Sequence, residues 1–170
     1  MTDMLLAWLE RNQESALLLV PLFAFMETCI GIGLFVSSLF LVIACSIIYA
    51  NGWAGLEAMV PLALLGSSLG DHVGYYVGRA VGPGIHELRF VRRYRGKLEQ
   101  AEGLVRRYGS AAIFIGRFIP AIRSLIPALL GLSEFPRWRY TALDLAACGL
   151  WALALGAIVK GANTVFVTAT

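Results

Sequence analysis

Five ionisable residues stand where apolar ones are the rule. Glu27, Asp71, Arg117, Arg123 and Asp144 each lie inside a long apolar stretch, three acids against two bases. A charge at the centre of a bilayer costs at least about 2.5–3.5 kcal/mol on insertion scales. Groups kept there at that cost are ion pairs or working groups. Guanidinium forks bind the oxygens of a phosphate. Carboxylates in the same cavity can take up and release protons. Arg117 and Arg123 therefore read as substrate-binding residues. Glu27, Asp71 and Asp144 read as proton-coupling residues, or as structural partners of the arginines. His72 is a lesser candidate for proton relay.

The two arginines belong to "GRFIPAIRSLIP", residues 116–127. They are six residues apart, about 600° of rotation on an unbroken helix, so they would not share a face. Pro120 and Pro127 interrupt that helix. The expectation is a bent segment that turns both arginines into one cavity. Irregular backbone at membrane depth is tolerated only where it is buried in protein or lines a watery space.

Composition sets the solvent. Hydrophobic residues make up 58% of the 170-residue chain and charged residues 15%, against about 25% charged in soluble domains. The chain reads as an all-α integral membrane protein, one membrane domain over residues 1–170. No basic segment opens it, so no secretory signal is expected. Cys29, Cys45 and Cys148 lie in apolar runs without CxxC spacing and read as free, buried thiols.

The elements follow from the apolar runs. Residues 3–13 suggest a short amphipathic helix at the interface, or the start of a spanning one. Residues 15–50 are apolar but interrupted by Glu27, Gly31, Gly33, Ser37 and Ser38. Residues 54–82 and 137–160 are each long enough to span a bilayer at about 20 residues per crossing. Residues 86–108 hold seven of the fourteen Lys and Arg residues, which makes them cytoplasmic. If residues 109–132 crossed the membrane, Arg137 and Arg139 would fall outside. If they enter and return, both stay inside. Residues 109–132 thus read as a re-entrant hairpin, and residues 22–50 as a second one entering from the other side. Hairpin plus helix then occurs twice, in repeat one (about 15–82) and repeat two (about 109–160). This is an inverted repeat with its site at the midplane. Two ordinary spanning helices in 15–50 are the alternative.

"GSSLGDHVGYYVGRAVG" places Gly66, Gly70, Gly74, Gly78 and Gly82 at four-residue spacing. Such a ridge lets another backbone approach closely. Gly70, Gly74 and Gly78 read as structural on this account.

These residues carry a resemblance. "F-x-E" at Phe25–Glu27, "G-D-x-x-G-Y-x-x-G-R" at Gly70–Arg79, "G-R-F-x-P-x-x-R" at Gly116–Arg123 and "Y-x-x-x-D-x-x-A-x-x-x-W" at Tyr140–Trp151 resemble the DedA family, also called the SNARE-associated or VTT-domain family. The resemblance covers about residues 20–160. It implies a multi-pass protein of the bacterial inner membrane with two opposed re-entrant hairpins. It implies lipid movement across the bilayer, notably of undecaprenyl phosphate and in some members of phosphatidylethanolamine, tied to the proton motive force. Eukaryotic relatives scramble phospholipids. Glu27, Asp71, Arg117 and Arg123 match the family's functional acids and arginines. Two positions depart from the pattern. The first hairpin reads "LFVSSLF" where a second glutamate is common, and Asp144 stands where asparagine is common. Asp144 is the residue that would replace that carboxylate.

The function expected is a lipid translocase, with undecaprenyl phosphate as substrate, membrane lipids around it, and no cofactor, metal or nucleic acid. A homo-oligomer is compatible with the sequence. The alternatives are a phospholipid flippase or scramblase, an intramembrane lipid phosphatase, and a structural assembly factor. Ser124 adjoins Arg123 but has no evident base, so an enzyme is not expected. The topology has a direct check. Single cysteines placed in residues 86–108 and in 133–139 should both escape an impermeant thiol reagent applied to intact cells. Labelling of either from outside would overturn the re-entrant assignment.

Overall fold

A computed structural model describes residues 13–30, 32–34, 38–82, 95–119 and 122–168. Among the described residues every regular element is helical. Helix α1 spans Gln13–Thr28, α2 Ser38–Ala50, α3 Leu56–Val81, α4 Arg95–Tyr108, α5 Ala112–Arg117, α6 Ile126–Leu132 and α7 Arg137–Thr168. Short 3-10 turns at Ile32–Leu34 and Arg123–Leu125 lie between α1 and α2 and between α5 and α6. The expected interfacial helix over 3–13 falls almost wholly outside the described residues. So does the part of the basic segment from residue 86 to 94. The rest of that segment is α4.

The 15–50 run is two helices of 16 and 13 residues. At 1.5 Å per residue these reach about 24 and 20 Å, short of a ~30 Å hydrocarbon core. Among the described residues, Arg137–Thr164 is the one helix both long and apolar enough to cross a membrane. Helix α3 has the length, with 26 residues, but Ser67, Ser68, Asp71 and His72 interrupt its apolar character. Helix α7 runs eight residues past the expected end at 160.

Helix α3 is the spine. It packs along α1, α6 and α7; α2 and α5 pack on α7. The apolar core is in two parts. One joins Tyr75, Ile113, Ile126, Leu129, Tyr140 and Ala147. The other joins Val20, Leu41, Met59, Ala63, Leu155 and Val159. Both parts use α3 and α7, at opposite ends. Between them lies a buried polar layer containing Glu27, Thr28, Ser67, Ser68, Asp71, Arg117, Arg123, Ser124 and Asp144.

The glycine ridge serves two partners, because spacing of four drifts about 40° per step around a 3.6-residue helix. A Cβ on Gly66 would sit 2.7 Å from Pro21 Cα, and one on Gly70 2.7 Å from the Phe25 carbonyl, both on α1. A Cβ on Gly78 would sit 2.8 Å from Ala128 Cα on α6. Gly74 lies between the two contacts. Its Cβ would meet Pro127 at 3.4 Å, an ordinary contact, so the expectation that Gly74 needs a bare backbone is corrected. Gly82 is not in the ridge at all. It ends α3 at φ +58°, a left-handed conformation that suits glycine, and its N–H donates to the Gly78 carbonyl. Pro127 sits in the first turn of α6, where its missing donor breaks no helical bond. Pro120 lies outside the described residues.

The ridge separates two substitutions at neighbouring turns. Gly78→Ala should lower the thermal stability of the purified protein by about 1–3 kcal/mol, the range for overpacking, and Gly78→Leu should reduce folded yield further. Gly74→Ala should melt close to the parent. Equal melting of the two alanine variants would remove the distinction.

Candidate functional site

The polar layer contains two buried ion pairs. Glu27, in the last turn of α1, accepts from Arg123 Nη1 at 2.6 Å and from the Ser38 hydroxyl at the start of α2. Asp71, near the middle of α3, pairs with Arg117 at the end of α5. Asp144 on α7 stands 3.8 Å from the same guanidinium nitrogen. Each pair joins elements distant in sequence. Removing either partner would leave a charge in an apolar interior, which costs far more than an exposed pair contributes.

Local structure explains the placement. Helix α5 ends at Arg117, and the chain turns before the 3-10 turn that begins at Arg123. The break lets both guanidinium groups line one cavity with Asp71, Ile113, Ile126, Pro127 and Asp144. Its volume is about 10 Å³, the scale of a single water. The two turns meet beside it. A Cβ on Gly33 would sit 2.9 Å from the Glu27 carbonyl carbon, so the tight turn after α1 needs a glycine there; Ser124 Cβ of the other turn is 3.2 Å from the same position.

Trp151 joins the two pairs. Its ring centre is 5.7 Å from the Arg117 guanidinium carbon and 5.5 Å from that of Arg123. Both distances lie in the range of cation–π attraction. Sequence reasoning used Trp151 only as the end of a motif. Its periodic position, seven residues after Asp144 and so on nearly the same helix face, was the available signal.

Asp144 has its own shell. The Ser68 hydroxyl donates to Oδ2 at 2.8 Å. Cys148 Sγ donates to the same oxygen at 3.6 Å, and His72 Nδ1 lies 3.5 Å from it. His72 Nδ1 is also 2.8 Å from the Ser68 carbonyl. A carbonyl only accepts, so Nδ1 carries a hydrogen. His72 Nε2 is 3.0 Å from the Thr141 hydroxyl. Asp71, Asp144 and Cys148 offer three ligand atoms within 4.8 Å of one another, a grouping the sequence spacing did not reveal. Arg117 already occupies one of these acids. Arg79 stays apart from the layer, bonding the Tyr75 hydroxyl at 3.1 Å. Among the described residues, several buried polar atoms have no hydrogen-bond partner: Glu27 Oε2, Asp71 Oδ1, Asp144 Oδ1, Ser124 Oγ, Tyr140 Oη, and Nε and Nη2 of Arg117. The layer thus holds unused donors and acceptors side by side.

Residues 35–161 match the VTT domain. The chain belongs to the VTT-domain (DedA) family. The matched range includes Asp71, Arg117, Arg123, Asp144 and Trp151; Glu27 precedes it and enters the site through its pair with Arg123. A membrane protein of Buchnera aphidicola from Schizaphis graminum is 23% identical over 151 residues, 89% of this chain and 60% of that one. Inner membrane protein YabI of Escherichia coli K12 is 22% identical over 136 residues, 80% of this chain and 54% of YabI. Inner membrane protein YqjA of the same strain is 30% identical over 120 residues, 68% of this chain and 53% of YqjA. The chain spans little more than half the length of these relatives. No solved structure matches it.

In this VTT-domain protein the Glu27–Arg123 pair is open to a double-mutant cycle. Arg123→Ala alone should cost about 3–5 kcal/mol, because Glu27 is left buried and unpaired. Glu27→Ala/Arg123→Ala should lose less than the sum of the singles, with a coupling of about 0.5–3 kcal/mol. Unfolding in detergent followed by intrinsic fluorescence measures it. Simple additivity would show that the two residues do not depend on each other.

Proposed function

We propose that this VTT-domain protein is a translocase for lipid phosphate in the bacterial inner membrane, with undecaprenyl phosphate as substrate and with proton coupling. The observation that carries the reading is the common cavity of Arg117 and Arg123, each already holding a carboxylate. A phosphate offers these guanidinium groups the same oxygen geometry as the carboxylates it would displace. A displaced carboxylate left in an apolar interior takes a proton in preference to staying charged. Anion binding and proton uptake are then one event, and no covalent chemistry is required. The prenyl tail stays in the bilayer, so only the headgroup needs the polar path.

The inverted repeat belongs to the same reading. Helix α3 packs on α6 as α7 packs on α2, and α3 packs on α1 as α7 packs on α5. Exchanging α1 with α5, α2 with α6 and α3 with α7 leaves these pairings unchanged. Two re-entrant hairpins of opposite entry, with tips meeting at Gly33 and Ser124, account for that exchange. With α4 cytoplasmic by its arginines, the cavity would be reached in turn from each side.

Flipping assays in proteoliposomes, with and without a pH gradient, test the reading. The parent should move a phosphate-terminated polyprenyl lipid in preference to phosphatidylethanolamine, and faster with the gradient. Alanine at Arg117 or Arg123 should weaken headgroup binding by about 1.5–3 kcal/mol, roughly ten- to hundredfold. Lysine should be a poor substitute, since a point charge replaces a fork. Equal flipping of neutral and zwitterionic lipids without a gradient would make the protein a scramblase instead.

A further inference from the structure

A groove runs between α1 and α2, away from the buried charges. Ala16 and Phe23 on α1, Phe40, Ile43 and Ile47 on α2, and Trp53 beyond the end of α2 line a space of about 170 Å³. Ala16 is buried and forms its floor. Phe40, Ile43 and Ile47 are 58%, 47% and 38% exposed, so the rim is open. Apart from the indole N–H of Trp53, no lining side chain can make a hydrogen bond. A polar occupant would lose its own hydrogen bonds there without replacement.

One end of the groove adjoins an ion pair. Phe23 is four residues from Glu27, on the same face of α1 and about 6 Å along it. Phe40 is two residues from Ser38, whose hydroxyl donates to Glu27. Glu27 in turn holds Arg123. From Ala16 to Glu27 the track is about 16 Å long at 1.5 Å per residue. The two spaces differ in kind and in size: the polar cavity at Arg117 and Arg123 is about 10 Å³, the apolar groove about 170 Å³. A lipid phosphate needs one of each, a charged pocket for its head and a hydrocarbon track for its chain.

We propose that this groove is a hydrocarbon-chain site, and that it seats the first part of the chain of the lipid whose phosphate exchanges onto Arg123. The chain site rests on the groove; the link to Arg123 rests on the translocase reading. An α-helix with its side chains is about 10–12 Å across, too broad for this space, whereas a single hydrocarbon chain is slender enough. Moving a chain from lipid into the groove brings no hydrophobic gain, because lipid tails are as apolar as leucine. What the groove adds is contact with Phe23 and Phe40 and a fixed direction, with the head presented at the Glu27 end. It therefore selects among chains and orients them.

The test uses the purified protein in phosphatidylcholine nanodiscs and two phosphomonoesters, dimethylallyl phosphate and geranylgeranyl phosphate. Longer chains partition more strongly into any bilayer, so each ligand is compared between parent and variant. Ala44→Phe fills the groove from a half-buried lining position. It should weaken binding of geranylgeranyl phosphate about tenfold, the lower end of what a misfit in an apolar pocket costs, and leave dimethylallyl phosphate as in the parent. Phe40 belongs to neither apolar core, so Phe40→Ala tests the rim in a protein whose packing is kept, and should weaken the long chain likewise. Geranylgeranyl phosphate with a terminal diazirine should label residues 16–23 and 40–53, and label them less in Ala44→Phe. Two variants that bind the long chain as the parent does would overturn the proposal. So would equal labelling of Leu69 and Leu153, which are exposed on α3 and α7. A disulfide dimer formed by Phe40→Cys on oxidation, in place of lipid labelling, would seat a second copy in the groove and overturn it too. Labelling of the groove by diazirine-bearing geranylgeraniol, with no preference for the phosphate, would leave the chain site standing and overturn the translocase reading.

Discussion

Everything in the middle of this molecule depends on neutralising charge out of water. Glu27, Asp71, Asp144, Arg117 and Arg123 are buried among apolar side chains, where an unpaired charge is far more costly than an unpaired dipole. That constraint fixes which elements meet. Arg123 must reach α1, and Arg117 must reach α3 and α7. A straight helix through residues 112–132 would send the two arginines to different sides, since six residues rotate the chain by about 600°. The break after Arg117 is therefore part of the ion-pair geometry. It lets one short segment serve three partner helices.

Close backbone contact is the second condition, and it follows from the first. Guanidinium and carboxylate groups meet only if the elements that carry them approach closely. Gly66 and Gly70 admit α1, Gly78 admits α6, and Gly131 admits α3 in return, with its Cβ position 2.9 Å from the Tyr75 carbonyl carbon. Thr28 reinforces the contact from the other side, its hydroxyl 3.0 Å from the Ser67 carbonyl on α3. The ridge and the ion pairs are thus one device. Small residues bring the helices together where the charges need them.

Much of this was legible in the chain. Charged residues in apolar runs marked Glu27, Asp71, Arg117, Arg123 and Asp144, because few other roles justify a charge there. Prolines and glycines marked the interruption near residue 120 and the ridge on α3. The partners were not legible. Nothing in "GRFIPAIRSLIP" says that Arg123 meets Glu27 and Arg117 meets Asp71, since pairing depends on how separate helices cross. The same limit explains the glycines. Their spacing is uniform, yet Gly78 is crowded by α6, Gly74 has room, and Gly82 ends the helix. A periodic pattern describes one face of one helix and holds no information on what lies opposite. His72 and Trp151 are faint signals in the sequence for that reason. Each becomes informative only when Asp144 on another helix, or two arginines from a broken segment, arrive beside it.

The geometry of Trp151 bears on how such a site can open. Its indole is within cation–π range of both guanidinium groups and attracts each. It is also the one aromatic ring that touches both ion pairs among the described residues. A cavity of about 10 Å³ cannot admit a phosphate while both carboxylates stay in place. Admission requires at least one arginine to exchange partners. A flat aromatic face tolerates that exchange, because cation–π attraction depends on distance from the ring centre and far less on where the hydrogen bonds point. A guanidinium resting on Trp151 can release a carboxylate and accept a phosphate oxygen without entering hydrocarbon unaccompanied. On the translocase reading, the indole keeps the two positive charges in the layer while the negative ones come and go.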